Sequence, residues 1–193
     1  MKKRVGILAL QGDFEAHAKA IERAGAEPIL VRTAEELQGV DGLVIPGGES
    51  TTMLKLLNFM DLKEPLREFA REKPVFGTCA GAILLAKEVQ NPAQESFGMV
   101  DLTVERNAYG RQIDSRVANI HPGSEFQERA GKGDVEAVFI RAPIIRRTGP
   151  DVRVLARYEG DPVLVEQGRH LVATFHPELT LDTRVHKLFL SKL

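Results

Sequence analysis

Pro74-Val75-Phe76-Gly77-Thr78-Cys79-Ala80-Gly81-Ala82 is the stretch on which the reading of this chain turns. A short apolar run ends at Gly77, and an alanine- and leucine-rich segment begins at Ala82. Cys79 stands between two glycines, where a strand should turn into a helix. Such spacing permits the sharp turn that lifts a nucleophile above the carboxyl end of a sheet. The first N–H groups of a helix behind the thiol favour thiolate, the reactive form. A buried structural cysteine is the plainer alternative.

Outward from this elbow, the first half alternates strand and helix. Val5 to Leu10, Ile29 to Val31, Leu43 to Ile45 and Pro74 to Phe76 are short continuous apolar runs, the pattern of strands buried on both faces. Between them, Asp13 can cap a helix carrying Phe14, Ala18 and Ile21, which Gly25 ends. Thr33 to Leu37 has a Thr-x-x-Glu capping box. Thr51 to Phe59, Leu62 to Arg71 and Ala82 to Lys87 also read as helices. This order predicts an α/β fold: a three-layer, open, mostly parallel sheet with helices on both faces.

The second half reads as strands separated by turns: Val100 to Glu105, Ser115 to Ile120, Val135 to Ile140, Val152 to Tyr158, Pro162 to Glu166 and Leu171 to Phe175. Some antiparallel pairing is expected there. Asp182 to Leu193 closes the chain as a helix with Val185, Leu188, Phe189 and Leu193 on one face. Gln90 to Glu95 reads as a mobile loop. With 193 residues and no repeat or linker, residues 1–193 are expected to form one domain.

A cysteine nucleophile needs a base, and the base an orienting group. Phe175-His176-Pro177-Glu178 offers both. Proline disfavours helical backbone at His176, and in an extended stretch residues two apart share a side. The Glu178 carboxylate can then approach the His176 ring. A surface loop with an incidental acid is the alternative for these residues alone.

Pro46-Gly47-Gly48-Glu49-Ser50-Thr51 follows the third strand. Its glycines can turn N–H groups into a site, and an oxyanion formed at Cys79 needs about two donors. The Ala80 N–H and one from Gly47 or Gly48 are the candidates. A plain turn with Ser50 or Thr51 as helix cap is the alternative. A phosphate loop is disfavoured, because no Gly-x-x-x-x-Gly-Lys-Ser/Thr pattern is present.

Composition restricts partners. Lys+Arg 26 against Asp+Glu 27 gives a net charge of −1, unlike a general nucleic-acid binder. No apolar run approaches transmembrane length, and one cysteine permits neither an intrachain disulfide nor a cysteine-based zinc site. A protein of the cytoplasm, with no membrane span and no nucleic-acid partner, is the expectation. His17, His121, His170 and His186 show no metal-ligand spacing and read as structural or surface residues.

Taken together, the Pro-Gly-Gly loop, the Gly-x-Cys-x-Gly elbow and the late His-Pro-Glu resemble the class I, or triad, glutamine amidotransferases over essentially the whole chain. Leu8-Ala9-Leu10-Gln11-Gly12, Pro46 to Thr52, Val104-Glu105-Arg106-Asn107, Phe139-Ile140-Arg141-Ala142-Pro143 and Phe175 to Thr180 narrow this to a resemblance to the glutaminase subunits of pyridoxal 5′-phosphate synthase.

The resemblance implies that Cys79 attacks the side-chain amide of L-glutamine, His176 moves the proton and Glu178 orients His176. It further implies that Gly48, Glu49, Ser50, Arg106, Ile140 and Arg141 bind glutamine, that Gly47, Gly48 and Ala80 form the oxyanion hole, and that ammonia passes to a synthase subunit of the PdxS type in a hetero-oligomer. The resemblance also implies that the protein needs no cofactor and no metal of its own. On the same ground, docking of the synthase is expected to flip the Gly47–Gly48 peptide, with the Gln11-Gly12 turn as its sensor. Rival readings are the glutaminase subunit of another amidotransferase, such as imidazole glycerol phosphate synthase, a cysteine peptidase or thiol stress protein, and a non-catalytic binding subunit.

Overall fold

The structure is a computed structural model that describes residues 2–107 and 115–193. The chain runs β1 (Arg4–Leu8), α1 (Phe14–Ala24), β2 (Glu27–Val31), α2 (Ala34–Gln38), β3 (Gly42–Ile45), α3 (Ser50–Phe59), α4 (Lys63–Glu72), β4 (Val75–Thr78), α5 (Ala80–Leu85), β5 (Ala86–Gln90) and β6 (Val100–Glu105). It continues through β7 (Ser115–Ile120), α6 (Ser124–Ala130), β8 (Val135–Ile140), β9 (Ile144–Thr148), β10 (Arg153–Tyr158), β11 (Asp161–Gln167), β12 (His170–Ala173), a 3-10 turn (Pro177–Leu179) and α7 (Arg184–Leu190).

Among the described residues, seven strands form the central sheet in the order β10-β11-β12-β4-β3-β1-β2. The five from β12 to β2 are parallel, and β10 and β11 extend the sheet antiparallel at one edge. Strands β3, β4 and β12 are buried along their whole length, which is why they read as unbroken apolar runs. One apolar layer packs Leu57, Leu66 and Leu84 against one face. The other packs Ile21, Phe126 and Phe189 against the opposite face. This is the three-layer arrangement expected. The chain order reverses between β1 and β3, the kind of switch point at whose carboxyl ends open α/β sheets place ligands.

Two smaller sheets sit on this frame: β5-β6-β9 and the hairpin β7-β8. They account for the departures from expectation. The helix expected over Ala82 to Lys87 stops at Leu85, and Ala86–Gln90 is a strand parallel to β6. The backbone explains the stop. N–H groups of Phe97, Gly98 and Met99 bond the carbonyls of Leu84, Ala86 and Leu85, occupying the terminal acceptors. Helix α6 and strand β9 lie where no element was expected. The Gln90 to Glu95 loop is tethered: Gln94 Oε1 accepts from Ser50 Oγ at 2.9 Å and Thr51 Oγ1 at 3.2 Å, and Glu95 pairs with Lys63.

Capping was read correctly at α2, where Thr33 and Glu36 form the reciprocal box. At α3 the cap is neither Ser50 nor Thr51. Glu49 reaches the N–H groups of Thr51 and Thr52 at 3.1 and 2.7 Å, a span open to a longer carboxylate at a helix start. Asp13 precedes α1 without a side-chain capping bond.

Candidate active site

The carboxyl ends of β1, β3, β4 and β12 bring Gln11, Gly48, Cys79 and His176 to one cavity of about 410 Å³. Cys79 follows β4 with φ 49° and ψ −103°, a backbone region L-residues rarely occupy. Three local features hold it there. Its N–H bonds Ala173 O at 3.0 Å, the Ile83 N–H bonds its carbonyl at 3.3 Å, and the helix behind it lies flush on β3. Gly81 allows that approach, since a Cβ there would collide with the Ile45 carbonyl. Strain of this kind concentrates where a side chain must be presented in one direction. The thiol is buried, 6% exposed, and its sulfur lies 3.9 Å from Ile140 O.

His176 follows β12, with its N–H bonded to Val138 O of β8 at 2.8 Å. Its Nδ1 lies 2.6 Å from Glu178 Oε1. The pairing matches the sequence reading, but the backbone differs. Pro177–Leu179 is a 3-10 turn rather than an extended stretch, and the turn folds the carboxylate back on the ring. Burial pushes the His176 ring toward neutrality, yet hydrogen bonds and charge from Cys79 and Glu178 outweigh it and raise the pKa to about 10. A ring that keeps its proton beside a thiol and a carboxylate can return that proton to a leaving group.

The loop after β3 closes the other side. A Cβ on Gly47 would collide with the His176 ring and crowd Cys79, so only glycine fits. The Gly47 carbonyl faces the Gly12 turn, accepting from Asp13 N at 3.4 Å, and the Gln11 side chain accepts from Glu49 N at 3.2 Å. Hydrogen bonds from Thr52 and Thr51 overcome partial burial and hold Glu49 at a pKa of about 2.

Gly48, Glu49, Ser50, Arg106, Ile140 and Arg141 all line the cavity, joined by Asn107, Ile83 and Asp13. Arg106 leaves the end of β6 and donates to Thr51 Oγ1 at 2.8 Å, with Glu49 3.6 Å away. Ile140 and Arg141 leave the end of β8, and Arg141 has φ 44°. The two small sheets therefore deliver the arginines to the rim of a site built by the large sheet. Ala80 opens α5 directly behind the thiol.

Asp13, His176 and Glu178 place ligand-type atoms within 4.8 Å of one another. However, His176 Nδ1 is committed to Glu178 at 2.6 Å, with Asp13 4.0 Å away, and so serves as a donor to a carboxylate rather than a metal ligand. Sequence reading missed His17, which is fully buried beside Glu178, because it sits on a helix remote in the chain.

A doubly wound sheet with a cysteine elbow, a histidine–glutamate pair and a glycine loop at one cavity is the arrangement of a triad glutamine amidotransferase. The chain matches the SNO glutamine amidotransferase family over residues 7–193 and belongs to it. It is 68% identical over 191 residues to the "Pyridoxal 5'-phosphate synthase subunit PdxT" of Solibacter usitatus, covering 99% of this chain and 100% of that protein. It is 56% identical to the protein of the same name from Koribacter versatilis, covering 97% and 94%. A crystal structure described as a glutamine amidotransferase superposes with a TM-score of 0.88 at 46% identity, covering 97% of each chain. Among the described residues, no helix is long and apolar enough to cross a membrane.

Proposed function

We propose that this chain is the glutaminase subunit of a pyridoxal 5′-phosphate synthase, and that residues 1–193 act as one glutaminase domain. The observation that carries the chemistry is the 2.6 Å pair of His176 Nδ1 and Glu178 Oε1 beside Cys79, with the thiol and the ring lining one cavity and both closing around Gly47. The thiol sulfur attacks the side-chain amide carbon of L-glutamine, and the His176 ring holds the thiol proton. The tetrahedral intermediate places its oxyanion on the Ala80 N–H and a donor from Gly47 or Gly48. His176 passes the proton to the departing nitrogen, ammonia leaves, and a glutamyl thioester remains. Water, deprotonated by His176, attacks the thioester carbonyl; the C–S bond breaks, glutamate leaves, and the proton on His176 returns to the pair with the Cys79 sulfur. Arg106 and Arg141 offer the planar donors suited to the substrate carboxylate, and Glu49 an acceptor for its ammonium.

Ammonia then passes to a synthase partner of the PdxS type, in the cytoplasm. The same names on the relatives at 68% and 56% identity favour this over the glutaminase subunit of imidazole glycerol phosphate synthase. The Asp13 N–H donates to the Gly47 carbonyl and the Glu49 N–H to Gln11 Oε1, and these two bonds tie the proposed oxyanion loop to the turn beside it. A partner that moves the turn moves the loop, and glycine at Gly47 and Gly48 keeps a peptide flip sterically cheap.

The test is glutamate release from L-glutamine, with and without the synthase subunit, for wild type and Cys79→Ala. Activity that requires the partner and is lost in Cys79→Ala supports the reading. Partner-independent activity removes the gating, and full activity in Cys79→Ala removes the mechanism.

A further inference from the structure

Behind the triad lies a second buried polar chain that the reaction as written leaves unused. His17 on α1 and His186 on α7 are both fully buried, with His17 Nδ1 3.1 Å from His186 Nε2. On its other side, His17 Nε2 lies 3.0 Å from Thr78 Oγ1 and 3.3 Å from Glu178 Oε2. Glu178 Oε2 and His186 Nδ1 are both buried with no aligned hydrogen bond among the described residues. Burial, then the neighbouring His186 and His176, hold the His17 pKa well below its usual value, so the ring is neutral.

A neutral ring has one N–H, and the surroundings choose its place. With the proton on Nε2, His17 donates to Thr78 Oγ1 and turns the positive end of that N–H toward the Glu178 carboxylate 3.3 Å away, while its bare Nδ1 accepts from His186 Nε2–H. The orphaned His186 Nδ1 is then an unprotonated nitrogen. With the proton on Nδ1 instead, a lone pair would face the carboxylate, and His186 would bury an unpartnered N–H, the costlier loss.

We infer that His17 is a positioning residue for the glutaminase reaction: its Nε2–H steadies the outer oxygen of Glu178, so that the inner oxygen stays on His176. The chain runs His186, His17, Glu178, His176, Cys79, each member from His186 to Glu178 placing the next. It ties the catalytic pair to α1, the helix that begins at the Gln11–Asp13 turn. A triad base is effective only while its orienting carboxylate is held, and partners one step removed from a reacting centre commonly matter 10- to 100-fold.

This inference rests on the triad reading, which Cys79→Ala tests separately. Two variants separate the two faces of His17. The His17→Asn amide overlies Nδ1 and can still pair with His186, but it cannot reach Glu178. The His17→Gln amide overlies Nε2 and can. Assayed with the synthase subunit, His17→Asn is expected to lower kcat for glutamine hydrolysis about 10- to 100-fold with KM unchanged, and His17→Gln to stay within about threefold of wild type. The proton NMR signal of the short His176–Glu178 hydrogen bond, read in the folded proteins, should move or vanish in His17→Asn and persist in His17→Gln. Wild-type kcat with an unmoved signal in folded His17→Asn overturns the inference. So does an equal loss in both variants, which marks a purely structural role. If His17→Asn does not fold, retained kcat and signal in His17→Gln support the inference, and their loss contradicts it.

Discussion

His176 Nδ1 and Glu178 Oε1 lie 2.6 Å apart, with both side chains buried away from water. Two residues apart in sequence, they meet because a 3-10 turn at Pro177–Leu179 reverses the chain immediately after the histidine. A short charge-assisted bond in a dry setting fixes both the orientation of the ring and the nitrogen that bears the proton. The other nitrogen is left to Cys79.

Glu178→Gln should test that bond. The amide cannot stabilise the imidazolium and can present an N–H to Nδ1, favouring the wrong tautomer. The expected result is a loss of about 100- to 10,000-fold in kcat, the range of general acid–base contributions, with KM little changed. Steady-state kinetics with the synthase subunit present checks it. A loss confined to KM would show that Glu178 binds substrate instead.

Gly47→Ala should damage activity through the close approach of its added Cβ to His176 and Cys79. The overpacking is expected to cost about 1–3 kcal/mol of stability. Because the atoms displaced belong to the proposed base and nucleophile, kcat should fall far more than thermal stability does. Calorimetry and turnover on one sample check this, and an active Gly47→Ala would show that the loop yields freely.

Arg106→Lys keeps the charge and removes the planar fork. KM for glutamine should rise about tenfold or more while kcat changes little. The contact with Thr51 predicts some loosening of the loop at α3 as well. Unchanged KM would remove Arg106 from substrate binding.

The buried histidines set the pH response of the fold. Burial, with nearby cations, lowers His170 to about 4, and burial and Arg23 lower His186 to about 3. In the unfolded chain both take up protons near pH 6.5. Their contribution to stability is therefore fully present above about 6.5 and is lost as pH falls toward 4 and then 3. His176, raised to about 10, runs the other way: its contribution is complete below about 6.5 and is lost as pH rises through 10. Tm measured across this range should fall at both ends, and a flat acid limb would contradict the burial of these rings.

Much of this was legible in the sequence, for definable reasons. Strands β1, β3 and β4 are buried on both faces and so read as continuous apolar runs, ended by the Gln11-Gly12 turn, by Pro46 and by Gly77 respectively. That Cys79, His176 and Glu178 would come together was legible because each carries a local signature: flanking glycines for Cys79, and a proline-constrained pair for His176 and Glu178. Helix α6 was hidden because Ser124–Ala130 buries only Phe126 and lies between glycines that read as turns. Strand β5 was hidden because Ala86 and Lys87 continue a helical pattern that only the 97–99 segment interrupts. His17 and His186 read only as structural or surface residues, since a contact across 169 residues leaves no local pattern in either segment.

The most direct test of the account is to quench turnover of L-glutamine by the assembled complex in acid and map the mass of the peptide containing Cys79. The account predicts a glutamyl group on Cys79 that forms during turnover, is absent from Cys79→Ala, and decays as glutamate appears. Continued glutamate production by Cys79→Ala, or a glutamyl group carried on any other residue, would contradict it.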